Sequence, residues 1–439
     1  MEKIIVFGLG VSGISTAKTL KKFGYELGVI DDKLDNNKKK VIDDLNLKLV
    51  DVNDVGEYDT LVKSPGIRMD NIVVKTCLDK GLDVISDIEL AQVLFPKAKI
   101  VAITGTNGKT TTTSLVTKIL NDGGFKAISV GNIGVGLLWE MYQASDDTIF
   151  VLECSSFQLE STKSFKPKYS AIININPDHL DWHGSYENYI EAKKKIFKNQ
   201  DENDFCVLNY DDDLYPNLDE QCKANKFRIS MTEELEKSSY IKDDKIYFSD
   251  TQEEFIIATE DIKLIGAHNY QNCLIAVSLA RLLGVESESI RKSLAEFSGV
   301  EHRLEFVREL DGVRYYNDSK GTNVDASIKA INSFDGNIIL LAGGYDKKVE
   351  IDDLFIEAKG KIKSMIVMGE TAGLFATKAR EYNISDINHA DNMDQAVKLA
   401  RKLGEKGDVV LLSPASASWD MYENFEARGK EFKDIVNSL

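Results

Sequence analysis

The chain has no Cys-x-x-Cys pair. Its five cysteines, Cys77, Cys154, Cys206, Cys222 and Cys273, are scattered and odd in number. That pattern argues against a zinc site or a disulfide framework and for reduced thiols. No long uncharged apolar run is present, so no membrane-spanning helix is expected. No signal-peptide pattern precedes the first strand-like segment, and a cytoplasmic location is the expectation. Positive charge is scarce: 54 Lys and Arg face 71 Asp and Glu, a formal charge of −17. Such a field repels nucleic acid and anionic membranes. An anionic substrate must then be held by local basic groups and backbone N–H donors. Repeats of fixed period and low-complexity segments are also missing.

What is present is an ordinary globular composition, 43% hydrophobic and 28% charged. At 439 residues, about two to four domains are expected. Three blocks of alternating strand and helix signals emerge, giving an α/β fold class. In the first, residues 1–92, a strand-like segment at 3–7 leads into Gly8-Leu9-Gly10-Val11-Ser12-Gly13 and a helical stretch to Phe23. A second strand ends in Asp31-Asp32. This is a β-α-β unit with the G-x-G-x-x-G fingerprint and an acidic residue about 20 positions on. Ser64-Pro65-Gly66 closes another strand. The second block spans 93–297, with strands at 148–152 and 170–175, each ending in a polar cluster. Its polar, strand-rich stretch 201–262 reads as a smaller β elaboration of the same domain. The third block, 298–439, has strands near 313–316, 338–342, 364–368 and 409–412 separated by helical segments, hence a third parallel sheet.

The most informative stretch is Thr104-Gly105-Thr106-Asn107-Gly108-Lys109-Thr110-Thr111. It lies between an apolar run and a helical segment, the order that makes a phosphate cradle: glycines turn backbone N–H groups inward, and a helix N-terminus favours negative charge. Lys109 would reach the β/γ-phosphates and the Thr110 hydroxyl would ligate Mg²⁺. Ile103 stands where the usual phosphate loop has its first glycine, so the pattern met is the rarer T-G-T-N-G-K-T.

Other polar clusters follow strand ends. Glu153 opens Glu153-Cys154-Ser155-Ser156-Phe157-Gln158; it is either a Mg²⁺ ligand beside the loop or part of a helix-capping cluster. Asn174-Ile175-Asn176-Pro177-Asp178-His179-Leu180-Asp181-Trp182-His183-Gly184, with two of the five histidines and two aspartates after an apolar strand, is a candidate site. In the helical segment 186–197, Tyr186, Tyr189, Ile190, Ile196 and Phe197 form one stripe at ~100° per residue. Lys193 falls at its centre, Lys194 on its flank and Lys195 on the opposite face. A lysine centred on a buried stripe must snorkel, be modified or pair with a carboxylate. Later come Gly266-Ala267-His268-Asn269-Tyr270-Gln271-Asn272, then Glu301-His302-Arg303, whose Arg303 could pair with a phosphate bidentately. Asn317-Asp318-Ser319-Lys320-Gly321-Thr322-Asn323 and the run from Leu412 to Phe425 follow. Polar clusters on successive strand ends across two sheets point to a site shared between domains.

These residues resemble the Mur ligase family, the ATP-dependent amide-forming enzymes of peptidoglycan precursor synthesis. T-G-T-N-G-K-T-T, G-N-I-G, E-x-S-S-F-Q-L, D-H-L-D, G-x-H-N-x-x-N, E-H-R, N-D-S-K-x-T-N and L-S-P-A-S-A-S-W-D occur in family order over essentially the whole chain. The resemblance implies three domains: a Rossmann-like domain for a UDP substrate, a central P-loop ATPase domain and a C-terminal Rossmann-like domain for an incoming amino acid. Within the family the likeness is greatest to the member that adds D-glutamate to UDP-N-acetylmuramoyl-L-alanine. ATP would phosphorylate the substrate carboxylate, and the D-glutamate amine would attack the acyl phosphate. By the same resemblance, Lys109 would bind the transferred phosphate, Thr110 and Glu153 one Mg²⁺, and His179 with a carbamylated Lys193 a second. Gly105, Thr106, Asn107, Gly108, Thr111, Asn269, Asn272, Arg303, Asp318, Lys320 and Thr322 match ATP-contacting positions. Val11, Ser12, Asp31, Asp32, Ser64, Gly66, Asn132, Ser155 and Gln158 match positions for the UDP substrate. Lys347, Ser418 and Phe425 match those for D-glutamate, with the neighbouring Lys348 as an alternative to Lys347. The partners implied are small molecules only, with no nucleic acid and no membrane insertion, and the enzyme is expected to be a monomer.

Three rival readings are weaker. An NAD-dependent oxidoreductase would rest on Gly8, Gly10, Gly13 and Asp31 and leave the phosphate loop unexplained. A non-catalytic nucleotide-binding regulator has no use for Glu153, His179 and Lys193. Another ligase of the family, acting on a neighbouring peptide step or on folate, is the nearest rival, although the folate relatives lack the N-terminal UDP domain.

Overall fold

The computed structural model describes residues 2–131, 136–264, 266–347 and 350–439. The chain forms two compact units, residues 1–262 with 267–297, and 263–266 with 298–439.

The first unit holds two sheets. One has five parallel strands in the order Lys48–Leu49, Glu26–Ile30, Lys3–Phe7, Thr60–Lys63, Asp83–Ile85. Its central strand buries Ile4, Ile5, Val6 and Phe7, the two-sided burial that parallel sheets require. The glycine fingerprint turns this strand into the helix Val11–Phe23. A Cβ on Gly13 would lie 1.8 Å from the Gly8 carbonyl oxygen, so only glycine permits so close an approach.

The second sheet has nine strands. Its order is Glu253–Ala258, Lys245–Ser249, Ser238–Lys242, Asn225–Ser230, Phe205–Asn209, Tyr169–Ile172, Lys99–Thr104, Ile149–Glu153, Ala127–Gly131. Seven are parallel from Ser238–Lys242 onward, and the two outermost are an antiparallel hairpin extension. The stretch 201–262 therefore continues the main sheet, because Phe205–Asn209 pairs directly with Tyr169–Ile172.

The helix Asp87–Leu94 joins the two sheets, so a boundary placed after residue 92 falls inside it. Its buried Glu89 accepts backbone N–H bonds from Lys163, Ser164 and Phe165 at 2.9, 2.8 and 3.0 Å. Three donors on one buried carboxylate bind the helix to a loop of the second sheet.

The second unit carries one six-stranded sheet. The order is Glu305–Leu310, Val313–Asn317, Val409–Leu412, Ile338–Ala342, Ile362–Val367, Ile387–His389. All pairs are parallel except the first. Separate apolar cores line its two faces. The fold is thus α/β with three parallel-rich sheets. Among the described residues no helix is long and apolar enough to cross a membrane.

Candidate active site

In the first unit the strand Lys99–Thr104 delivers the chain into the phosphate loop, and the helix Lys109–Asp122 leaves it. Gly108 adopts φ +83°, and a Cβ there would lie 2.3 Å from Asn272 Oδ1. The same contact shows that Asn272, far along the chain, is seated on the loop. Asn272 accepts from Thr112 Oγ1 at 3.1 Å and donates to Asn269 Oδ1 at 2.9 Å. Asn272 of the G-x-H-N-x-x-N run therefore faces the loop from the helix Ala267–Leu282, with Asn269 bonded to it.

The loop is anchored on its other side by the segment after Tyr169–Ile172. Asn107 N–H donates to Asn174 Oδ1 at 2.9 Å, and Asn176 N–H donates to Thr106 Oγ1 at 2.9 Å. The Tyr189 hydroxyl lies 3.0 Å from Thr106 Oγ1. Asn174, Asn176 and Tyr189 position the loop; the sequence places Tyr189 on the apolar stripe and the two asparagines in the polar run after the strand, without this role.

Two lysine side chains converge on the loop. Lys109 Nζ donates to the carbonyls of Gly105 and Thr106 at 2.8 and 2.9 Å. Lys193 Nζ donates to the Gly105 carbonyl at 2.8 Å. Lys193 is 1% exposed and lies 4.6 Å from the Tyr189 ring centroid. Burial, then the Lys109 charge, hold its pKa well below the usual lysine value. The stripe reading thus places Lys193 correctly, in the helix Tyr186–Lys194. It fails for Lys195, which is half-buried and donates to the Glu160 carbonyl. Its face of the helix is covered by the segment that carries Glu160, a long-range contact that the period does not reveal.

Thr110 and Thr111 are buried in the first helical turn after the loop. Glu153, also buried, ends the strand next to the loop strand, in register with Ile103. Capping falls instead to Ser155, which makes a reciprocal capping box with Gln158. His179 is half-exposed at φ +50°. Its ring lies 4.9 Å from that of Phe157 and 6.5 Å from that of Tyr189, the ring that Lys193 also faces. His183 is different: it is buried, 3.0 Å from Ser156 Oγ, and burial lowers its pKa.

Candidates for a nucleotide sugar sit around the first sheet. Val11 and Gly66 are exposed, and Ser64 Oγ donates to the Gly8 carbonyl at 2.8 Å, tying its turn to the glycine loop. Asp32 is exposed. Asp31 does not offer a free carboxylate: it accepts Leu9 N–H at 2.6 Å and is clasped by Lys38 Nζ at 2.8 and 2.9 Å. Burial raises its pKa, but Lys38 and two backbone donors bring it below the ordinary value. Asp31 therefore fixes the glycine loop from below, which leaves the ribose contact of a dinucleotide site without its acceptor. Ser12 and Gln158 both bond the buried Asp87. Ser155, Gln158 and Ser12 are thus committed to protein partners. Asn132 lies outside the described residues, as does Lys348.

In the second unit the candidates gather at the C-terminal ends of adjacent parallel strands, where open α/β sheets place ligands. Lys347 Nζ donates to the Thr322 carbonyl at 3.1 Å and lies 5.7 Å from the exposed Trp419 ring, next to the buried Ser418. Lys320 Nζ lies 5.7 Å from the Phe425 ring. Arg303 is exposed. Asp318 is buried, accepting Ser413 Oγ at 2.7 Å and Leu304 N–H at 3.2 Å. Burial raises its pKa to about 7, against the opposing pull of these donors and of Arg303 and Arg428.

A carboxyl raised from 3.8 to about 7 stabilises the fold fully below pH ~4, and that stability is lost as pH rises to about 7, a change of roughly 4 kcal/mol. Asp318→Asn is therefore expected to melt a few degrees above the wild type at pH 8, with the gap closing towards pH 4. Calorimetry of the ligand-free protein checks this; parallel curves across that range would remove the argument.

The chain is similar to known proteins along its length. Residues 2–86 match the Mur ligase MurD-like N-terminal domain, 103–280 the Mur ligase middle domain and 302–416 the Mur ligase glutamate ligase domain. The chain belongs to the Mur ligase family. A UDP-N-acetylmuramoylalanine--D-glutamate ligase of Thermoanaerobacter sp. (strain X514) is 44% identical over 449 residues, covering 100% of this chain and 98% of the relative. The enzyme of the same name from Clostridioides difficile (strain 630) is 43% identical over 445 residues, covering 100% and 99%. Among solved structures, the Thermotoga maritima UDP-N-acetylmuramate-alanine ligase MurC superposes with a TM-score of 0.56 at 17% identity, covering 100% of both chains. The MurF ligase of the same organism, in complex with ADP, gives 0.57 at 18% identity, covering 100% of this chain and 95% of that one. At such identities the likeness concerns the fold. The three matched segments of this Mur ligase fall one on each of its three sheets.

Proposed function

We propose that this Mur ligase joins D-glutamate to UDP-N-acetylmuramoyl-L-alanine at the expense of ATP, in peptidoglycan precursor synthesis. One observation carries the reading. The phosphate loop, Asn272 of the G-x-H-N-x-x-N run and the buried Lys193 meet in a single cluster, in a chain over 40% identical along its length to ligases of that name. The domains proposed are 1–92 for the UDP substrate, 93–297 for ATP and 298–439 for the amino acid, with the first boundary better drawn after the helix Asp87–Leu94.

The chemistry follows from what the groups can do. A substrate carboxylate oxygen attacks the γ-phosphorus of ATP and ADP leaves, giving an acyl phosphate. The uncharged amine of D-glutamate attacks the acyl carbon; phosphate leaves, the nitrogen loses a proton and an amide remains. Phosphoryl transfer of this kind asks the protein mainly for positioning and positive charge. Lys109 and the loop N–H groups supply both. Arg303, Asp318, Lys320 and Thr322 are proposed to hold the nucleotide. Lys347, Ser418 and Phe425 are proposed to hold D-glutamate, and Val11, Ser64 and Gly66 the UDP sugar.

Oxygen donors suited to Mg²⁺ are present in Thr110 and Glu153, a set that leaves room for phosphate oxygens and water. Among the described residues no three His, Cys, Asp or Glu side chains gather to hold a metal. A second ion beside His179 therefore needs another anionic ligand, and a carbamate on Lys193 would be one. Carbamylation consumes an uncharged amine: nitrogen adds to the carbon of CO₂ and releases a proton. The lowered Lys193 pKa favours that form. When bound, Mg²⁺ would neutralise charge on the transferring phosphoryl group. We place the enzyme in the cytoplasm and take it to act as a monomer.

Selectivity tests the reading. Lys347 can pair with one carboxylate of the amino acid, while Ser418 and nearby N–H groups receive the other. Two such anchors place the amine correctly in one hand only. L-Glutamate and D-glutamine are expected to react at least ~10²-fold more slowly than D-glutamate. Lys347→Ala should raise KM for D-glutamate much more than for ATP in an ADP-release assay. Equal rates for both hands, or equal shifts in the two KM values, would overturn the assignment.

A further inference from the structure

Arg428 is one of the most deeply buried large side chains, 2% exposed, and the functional reading gives it no task. It lies three residues beyond Phe425, in the first turns of the helix Phe425–Ser438. Its guanidinium reaches two separate loops. Nε donates to Ser319 Oγ at 3.0 Å and Nη2 to the Ser319 carbonyl at 2.8 Å. Nη1 and Nη2 both donate to the Ser416 carbonyl at 3.2 Å, and Nη1 to the Ala417 carbonyl at 3.4 Å. A third loop is drawn in through Ala417, whose carbonyl also accepts Tyr345 N–H at 2.9 Å. A Cβ on Gly344 would lie 2.3 Å from that carbonyl and 3.3 Å from Arg428 Nη1. The Ser319 hydroxyl closes the circuit by donating to the Phe425 carbonyl at 2.8 Å.

These loops follow three adjacent strands, Val313–Asn317, Val409–Leu412 and Ile338–Ala342. The first carries Asp318, Lys320 and Thr322, the second Ser418 and the third Lys347. We propose that Arg428 is a positioning residue that sets the spacing of the three ligand-bearing loops of this unit. The claim that the loops bind the amino acid rests on the function proposed above.

Two physical points favour positioning over bulk stability. Burying a charge among carbonyl oxygens is costly, and an apolar side chain of similar size would stabilise a core as well or better. What a guanidinium alone provides is a rigid planar fork of five donors, able to hold several acceptors at fixed separations. A lysine has one charged centre and cannot span them. The loops then depend on one another, because moving one costs the bonds of the rest.

The test uses the full chain with Arg428→Lys. Hydrogen–deuterium exchange is expected to speed up in peptides covering 318–322, 343–347 and 416–420, with the phosphate-loop peptides of the other unit unchanged. In turnover, KM for D-glutamate should rise at least ~10-fold, while KM for UDP-N-acetylmuramoyl-L-alanine stays within about twofold. Unchanged exchange in the three loops, or KM values for both substrates rising together, would overturn the proposal. Should Arg428→Lys fail to fold, Ser319→Ala, which removes the Nε acceptor and the link to Phe425, carries the same readouts with a smaller effect. A wild type without D-glutamate-dependent turnover would overturn the functional reading alone, since the exchange experiment needs no substrate.

Discussion

Lys109→Ala is expected to lower turnover by at least ~10³-fold, the scale seen when a phosphoryl-transfer site loses its main cation. The melting temperature should move by little. Lys109 follows the left-handed Gly108 at the head of the helix Lys109–Asp122 and donates to the Gly105 and Thr106 carbonyls. Those bonds join a side chain to its own loop, so their loss costs the fold about 1 kcal/mol. The loop itself is kept by Asn174, Asn176, Tyr189 and Asn272. Activity and stability should therefore separate in this variant. Full activity would refute the phosphate-binding assignment, and a collapse of the melting temperature would move Lys109 into the structural set.

Lys193→Ala should be nearly as damaging, again by ~10³-fold, for a different reason. The wild-type side chain is proposed to carry CO₂ as a carbamate and to act as an anionic ligand. Mass measured under native conditions should show the added carboxylate, and depletion of dissolved CO₂ should lower activity reversibly. Lys195 serves as the internal control. It is half-buried and holds the Glu160 carbonyl, so Lys195→Ala should cost some stability and leave turnover within a few-fold of wild type. Equal losses at the two positions, or a wild-type mass without the adduct together with full activity, would contradict the metal-ligand role.

Much of this was legible from residue order. The phosphate loop, the glycine fingerprint and the strand-end clusters are local patterns, and local patterns fix turns and helix starts. Lys193 is readable because a 3.6-residue period holds along the helix; the half-burial of Lys195 is not, because it comes from the distant segment that carries Glu160. The long-range partners were not legible. Nothing near Asp31 reveals that Lys38 and Leu9 N–H will take up its carboxylate. Nor does any periodicity show that Ser12 and Gln158 will converge on Asp87. The stretch 201–262 gave strands but not their partner, since pairing with Tyr169–Ile172 is decided by the sheet, not by the segment. The burial of Arg428 is not legible in its own segment, because it follows from three loops that meet only in the folded unit.

The most direct measurement is the product formed from UDP-N-acetylmuramoyl-L-alanine, ATP with Mg²⁺ and racemic glutamate, analysed by mass and chirality. The expected result is one glutamyl residue added for each ADP released, all of it D, with L-glutamate left in solution. ADP release without amide formation, or incorporation of another amino acid in place of D-glutamate, would contradict it.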